Sequence, residues 1–199
     1  MKNTLKITAL LLVLLLGTSA FCSCKKNNEP PTYSAAEINE YVRLGEYKNI
    51  TVDKADGELA PNVALWNKIV ANAEVLKYPE SAVEYYKTEA EHRYEYLAED
   101  GGMSYDELLA SLGVTEEDIL TEARAYVKSD LVRLAIIEAE GLHLTDDEKT
   151  RLFDKYADKF VELYGYSGEY VRENLADEIY DAMQYDKMME FLMLNNTQA

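Results

Sequence analysis

Cysteine is almost absent from this chain: only Cys22 and Cys24 occur, both near the N-terminus. The remaining residues therefore hold neither a disulfide framework nor a thiol nucleophile. Histidine occurs twice, as His92 and His143, and neither is placed to serve a serine or cysteine. There is no glycine-rich phosphate loop, no HExxH and no GxSxG, so the usual sequence signs of nucleotide, zinc or acyl-transfer chemistry are missing. Cations are scarce, with 20 Lys and Arg against 37 Asp and Glu and a net charge of −17. Nucleic acid is excluded as an expected partner, because its phosphates are gripped by clustered Lys and Arg. The one long apolar run, residues 7–16, is too short to span a bilayer.

What is present begins with a secretory pattern. Lys2 and Lys6 precede that apolar run, and Gly17, Thr18, Ser19 and Ala20 follow it. The next residues, Phe21-Cys22-Ser23-Cys24-Lys25-Lys26, resemble the processing site of bacterial lipoproteins. Cys24, behind the small Ser23, is the candidate for lipidation, and Cys22, behind the bulky Phe21, is the weaker one. Cleavage by ordinary signal peptidase is the alternative, and either route takes the chain out of the cytosol. The expected layout is a signal at 1–23, a polar tether with paired prolines at 24–33, a short linker segment at 34–60, and a helical body at 61–199. Loss of 1–23 leaves 18 basic and 37 acidic residues, a formal charge of −19 that favours solubility.

Residues 115–148 organise the body. Thr115 with Asp118 signals a helix start, and Ile119, Ala123, Tyr126, Val127, Leu131, Leu134 and Ala135 then recur on one face. Gly141 closes that helix, and Thr145 with Glu148 opens the next, which makes a buried helical hairpin. Further helices are expected from Pro61 to near Ala73 with Trp66 as a core anchor, and from Pro79 to Asp100 with Val83, Tyr86, Ala90, Tyr94 and Leu97 inward. Others are expected from Ser104 to Leu112, from Thr145 to Tyr164 with Leu152, Phe153, Tyr156, Phe160 and Leu163 inward, from Ser167 to Leu175, and from Asp177 to Leu194. Upstream, residues 34–44 suit a short helix and residues 47–52 a brief strand. The fold class is all-α, preceded by that helix and strand.

The run from Val127 to Leu142, with Lys128, Leu131, Val132, Ala135, Ile136, Glu138, Glu140 and Gly141, followed by Thr145 to Glu148, resembles the C-terminal substrate-binding domain of trigger factor chaperones. Further matching residues are Tyr78-Pro79-Glu80, Gly102-Met103-Ser104, the stretch from Gly113 to Glu117, Tyr164-Gly165, Lys187 and Phe191-Leu192, so that the similarity covers residues 62–199. Residues 41–52 are similar to the segment leading into the family's prolyl-isomerase domain. Between Val52 and Pro61, however, there is no length for that domain, and the family's ribosome-docking domain has a signal segment in its place. The resemblance implies helical arms that cradle unfolded or nascent secreted polypeptides without ATP, cofactor or ribosome binding. Isomerase activity attaches to the family name alone.

Two spacings remain. Glu89-x-x-His92 and Glu140-x-x-His143 repeat the pair used by di-iron bundles, yet Gly141 interrupts the second, so capping or exposed histidines are the reading preferred over a metal site. Sixteen tyrosines are many for this length. Tyr85, Tyr96, Tyr105, Tyr166, Tyr170, Tyr180 and Tyr185, with Met188, Met189 and Met193, lie off the main stripes. As adaptable apolar contacts they are candidates for client binding, packing between helices being the alternative. The expected function is a lipid-anchored holding chaperone, and the competing one is a cell-surface adaptor for a single folded partner.

Overall fold

Half of the helix starts are written locally, in a Ser or Thr and an acidic residue three positions on. The computed structural model describes residues 30–52 and 59–198, so the signal segment, Cys22, Cys24, residues 24–29 of the tether and residues 53–58 lie outside the described residues. Eight helices are present among the described residues, and the fold is all-α with four two-residue strands. In order these are α1 (Ala35–Tyr41), β1 (Val42–Arg43), β2 (Thr51–Val52), α2 (Pro61–Asn72), β3 (Glu74–Val75) and α3 (Glu80–Asp100). There follow α4 (Tyr105–Leu112), α5 (Glu116–Glu140), α6 (Asp146–Tyr164), α7 (Gly168–Asn174), α8 (Ala176–Leu194) and β4 (Thr197–Gln198).

Four helices open with a reciprocal cap. In α5 the Asp118 amide donates to Thr115 Oγ1 at 3.2 Å while Thr115 N donates to the Asp118 carboxylate at 2.9 Å. Ser34 with Glu37, Ser104 with Glu107 and Thr145 with Glu148 do the same for α1, α4 and α6, so two otherwise orphaned donors are satisfied at each start. The stop of α5 is equally local. Gly141 sits at φ 61°, and Leu142 N reaches back to Ile137 O at 3.0 Å, a closure that a residue with a Cβ adopts at a cost.

α5 is long enough to serve two cores. Its C-terminal half joins α1, α2, the C-terminal half of α8 and the two ribbons in a hub, whose buried residues include Ile38, Leu65, Trp66, Ile69, Leu131, Val132, Ile136, Met188 and Leu192. Trp66 donates from Nε1 to Ser129 Oγ at 3.1 Å, which satisfies the one polar atom of this anchor. Its N-terminal half joins α3 and α4 in a first arm, around Ala90, Tyr94, Leu109 and Ile119. A second arm consists of α6, α7 and the first half of α8, around Ala157, Val171, Ile179 and Met183.

Several expected boundaries and faces are corrected. The helix expected over 34–44 ends at Tyr41, because Val42 and Arg43 turn extended and pair antiparallel with Val75 and Glu74. The strand expected over 47–52 shrinks to Thr51–Val52, which runs parallel to β4. Asn49 breaks it at φ 61°, and the Asn196 side chain takes the Ile50 amide at 2.7 Å. Pro79 caps α3 from outside instead of occupying its first turn. On α5, Leu134 and Tyr126 are only half-buried while Val132, Ile136 and Ile137 are buried, since hub elements cover this half of the helix on more than one side. Leu97 and Leu163, expected inward, are exposed.

Candidate client-binding surface

Apolar residues left in water are the natural starting point for a binding surface. Among the described residues, eight large apolar side chains are exposed, and six of them lie on the arms: Tyr96, Leu97, Met103, Leu112, Leu163 and Tyr166. Leu76 and Leu194 lie on the hub. Tyr96 is 56% and Leu97 52% exposed, in the last turns of α3 before the Gly101-Gly102 turn; Leu163 is 72% and Tyr166 40% exposed, on either side of Gly165. Helical spacing alone places Leu97 and Leu163 on inward stripes. Each last turn packs through its other residues, Ala98 on α3 and Tyr164 on α6, and leaves Leu97 and Leu163 facing water.

The second tip carries a strip of rings. Phe160 meets Tyr164 at 5.5 Å between centroids, Tyr164 meets Tyr166 at 6.4 Å, and Tyr166 meets Tyr170 at 5.1 Å. The order follows from sequence, with residues 160 and 164 one turn apart on α6 and residues 166 and 170 carried back over them by the left-handed Gly165 and the Ser167 cap of α7. Arg172 braces the strip from α7 by donating to Asp154 at 3.1 Å and Asp158 at 2.7 Å.

The first arm differs in charge. Residues 80–122 contain thirteen acidic and two basic residues, and both cations are paired within the arm, Lys87 with Glu91 and Arg93 with Glu122. Tyr94 also donates to Glu122, at 3.3 Å. Burial pushes the Tyr94 hydroxyl well above its ordinary range, and the Glu122 carboxylate adds to the shift.

Towards the hub the aromatic residues turn inward. Tyr85 meets Tyr86 edge-on at 5.1 Å, and Tyr86 stacks on Tyr126 of α5 at 5.7 Å with 10° between the planes. Burial pushes the Tyr126 hydroxyl up to about 12 and raises those of Tyr85, Tyr86 and Tyr185. Tyr105 packs in the first arm's core and Tyr180 in the second's, where it lies 5.4 Å from Phe153 under Lys149. Tyr185 and Met193 are half-buried against the hub.

Of the residues singled out from sequence, then, Tyr96, Tyr166 and Tyr170 lie at the arm tips. Met188 and Met189 are 0% and 6% exposed in the hub core, and they have no surface to offer a client. Sequence reasoning missed Leu97, Met103, Leu112 and Leu163. The signal available was the position of the glycines: Gly101, Gly102 and Gly165 mark hairpin tips, and Leu97, Met103 and Leu163 lie within four residues of one.

The two Glu-x-x-His spacings do not converge. Glu140 accepts from Tyr47 Oη at 2.6 Å and pairs with Lys48 at 2.7 Å, while His143 Nε2 lies 3.0 Å from Glu138. Among the described residues no group of three or more His, Cys, Asp and Glu is placed to hold a metal. An open cleft of about 470 Å³ on the hub is floored by Ile38, Val42, Leu76 and Ala135, with Arg43 and Glu138 at its edge. No helix of the described residues is long and apolar enough to cross a membrane. No family model, no curated protein and no solved structure matches this chain.

Proposed function

We propose that this protein is an extracytoplasmic, lipid-anchored holding chaperone that grips unfolded or translocating polypeptides between two helical arms, without ATP and without isomerase chemistry. One observation carries the reading: six of the eight exposed large apolar side chains among the described residues sit on the arms. Two separated apolar tips suit a flexible chain, which can reach both, better than a single rigid patch would. The resemblance of residues 62–199 to the trigger factor substrate-binding domain points the same way, as does the secretory pattern before Cys24. Binding would be weak at each contact and additive over many, and the acidic exterior would keep the complex in solution.

The test is to measure residues 33–199 against one permanently unfolded polypeptide and the folded form of the same protein by fluorescence anisotropy. The unfolded form binds and the folded form does not. Tight capture of one folded surface protein, with no affinity for unfolded chains, replaces this reading by the adaptor. Anchoring has its own check: Cys24→Ser abolishes membrane retention, and a mature N-terminus that carries no lipid by mass spectrometry contradicts it.

A further inference from the structure

The second arm and the hub share one helix but not one core. Ile179 and Met183 of α8 belong to the arm, Met188, Met189 and Leu192 belong to the hub, and the two buried clusters do not merge. Between them the side-chain hydrogen bonds are polar and charged. Gln184 accepts from Leu144 N at 3.1 Å and donates to Leu142 O at 2.9 Å, so it bridges the α5–α6 turn. Lys187 donates to His143 O at 2.9 Å and to Glu148 at 2.7 Å. Arg133 of α5 donates to Asp181 of α8 while its other nitrogens hold Asp130 at 2.8 and 3.1 Å.

Asp181, Gln184 and Lys187 recur every third residue, so they line up along one face of α8, the face that meets α5 and the α5–α6 turn. A cleft of about 360 Å³ opens along the same seam, lined in part by His143, Lys149, Tyr180 and Gln184. Water therefore reaches the seam. Arg133 keeps 21% of its side-chain surface in solvent and Asp181 keeps 52%, so the pair is part-covered and high salt weakens it from the Asp181 side.

We propose that this row is a charge clasp that sets the opening between the two arms, and that weakening it lets the second arm pivot on the section of α8 at residues 184–187. The row fixes the arm to α5 and the α5–α6 turn from one face of α8, while on another face Tyr156 of α6 donates to Asp186 at 2.7 Å and moves with the arm. When it is screened or removed, the arm's own core remains intact, and what changes is its angle to the hub. α8 contains no Pro or Gly to act as a loose joint, so the clasped arrangement is the resting one. The inference does not depend on the proposed chaperone function, because it concerns the geometry of the arms and is read without any client.

The experiment uses the scarcity of cysteine. In the full chain with Cys22 and Cys24 replaced by Ser, spin labels at Met103→Cys and at Glu169→Cys, an exposed position of α7, report the distance between the tips. Raising the salt shortens the screening length from about 30 Å at 0.01 M to about 3 Å at 1 M, and the distance distribution should broaden and move outward. Arg133→Gln with Lys187→Gln should show that broad distribution already at low salt, and Arg43→Gln, a charge removed from the exposed β1–β3 ribbon, should not. Amide exchange should quicken about tenfold at residues 141–148 and 184–187, while residues 131–137 in the hub stay protected. A distribution indifferent to salt overturns the clasp. So does exchange that quickens equally in hub and seam, because the arm would then be part of one cooperative unit.

Discussion

Single residues carry different weights here according to where they sit on the helices. Leu131 is 1% exposed in the hub, so Leu131→Ala should cost about 2–5 kcal/mol in a urea unfolding curve. Leu134→Ala should cost distinctly less, since half-buried Leu134 already meets solvent. Glu148 offers a titration. Its hydrogen bond from Lys187, together with those from Thr145, pulls the carboxyl from its ordinary 4.5 down to about 2. A carboxylate depressed on folding adds stability that is fully present above pH 4.5 and is lost as the pH falls through about 2. Carboxyl chemical shifts across that window should place the Glu148 midpoint near its lower end, and Lys187→Gln should move it upward. The candidate surface was half legible in the sequence. Tyr96 and Tyr166 stand out as aromatics partly off the stripe, whereas Met188, on the stripe of the closing helix and also a surface candidate, and Met189 are both buried, because a helix shared by two cores has no single polar face.

The elements were readable wherever their ends are local. Ser34, Ser104, Thr115 and Thr145 each meet an acidic residue three positions on, and each starts a helix through contacts within its own first turn. Thr145→Ala should therefore cost about 1 kcal/mol of stability and fray the start of α6 in an exchange experiment. Gly141→Ala meets no atom within 4 Å, so its cost is the left-handed backbone alone. A loss of roughly 1–2 kcal/mol in the unfolding free energy is expected. The ribbons were not readable, because β1 pairs with β3 and β2 with β4 across long sequence separations, and two-residue strands leave no period to detect. Residues 42–43 continue an acceptable helical pattern, and their pairing with Glu74 and Val75 wins over it. Tyr47 and Asn49 fit a strand by composition, yet they are drawn instead to Glu140 and to the backbone of Asn195.

For the molecule as a whole, three small cores threaded by α5 and α8 leave two arm tips where large apolar side chains are exposed to water. A net charge of −17 opposes self-association through those tips. The central claim is that the tips hold unfolded chains. It is tested most directly by light scattering from several unrelated denatured proteins diluted into residues 33–199 without nucleotide, for the wild type and for a variant with Tyr96, Leu97, Leu163 and Tyr166 all changed to Ser. The wild type should slow aggregation of each client. The variant should keep its helical content and melting temperature while its affinity for clients falls about a hundredfold, on the order of 3 kcal/mol shared among four side chains that each bury part of their surface. A wild-type body that leaves aggregation unchanged, or a folded variant that protects as well as the wild type, would contradict the account.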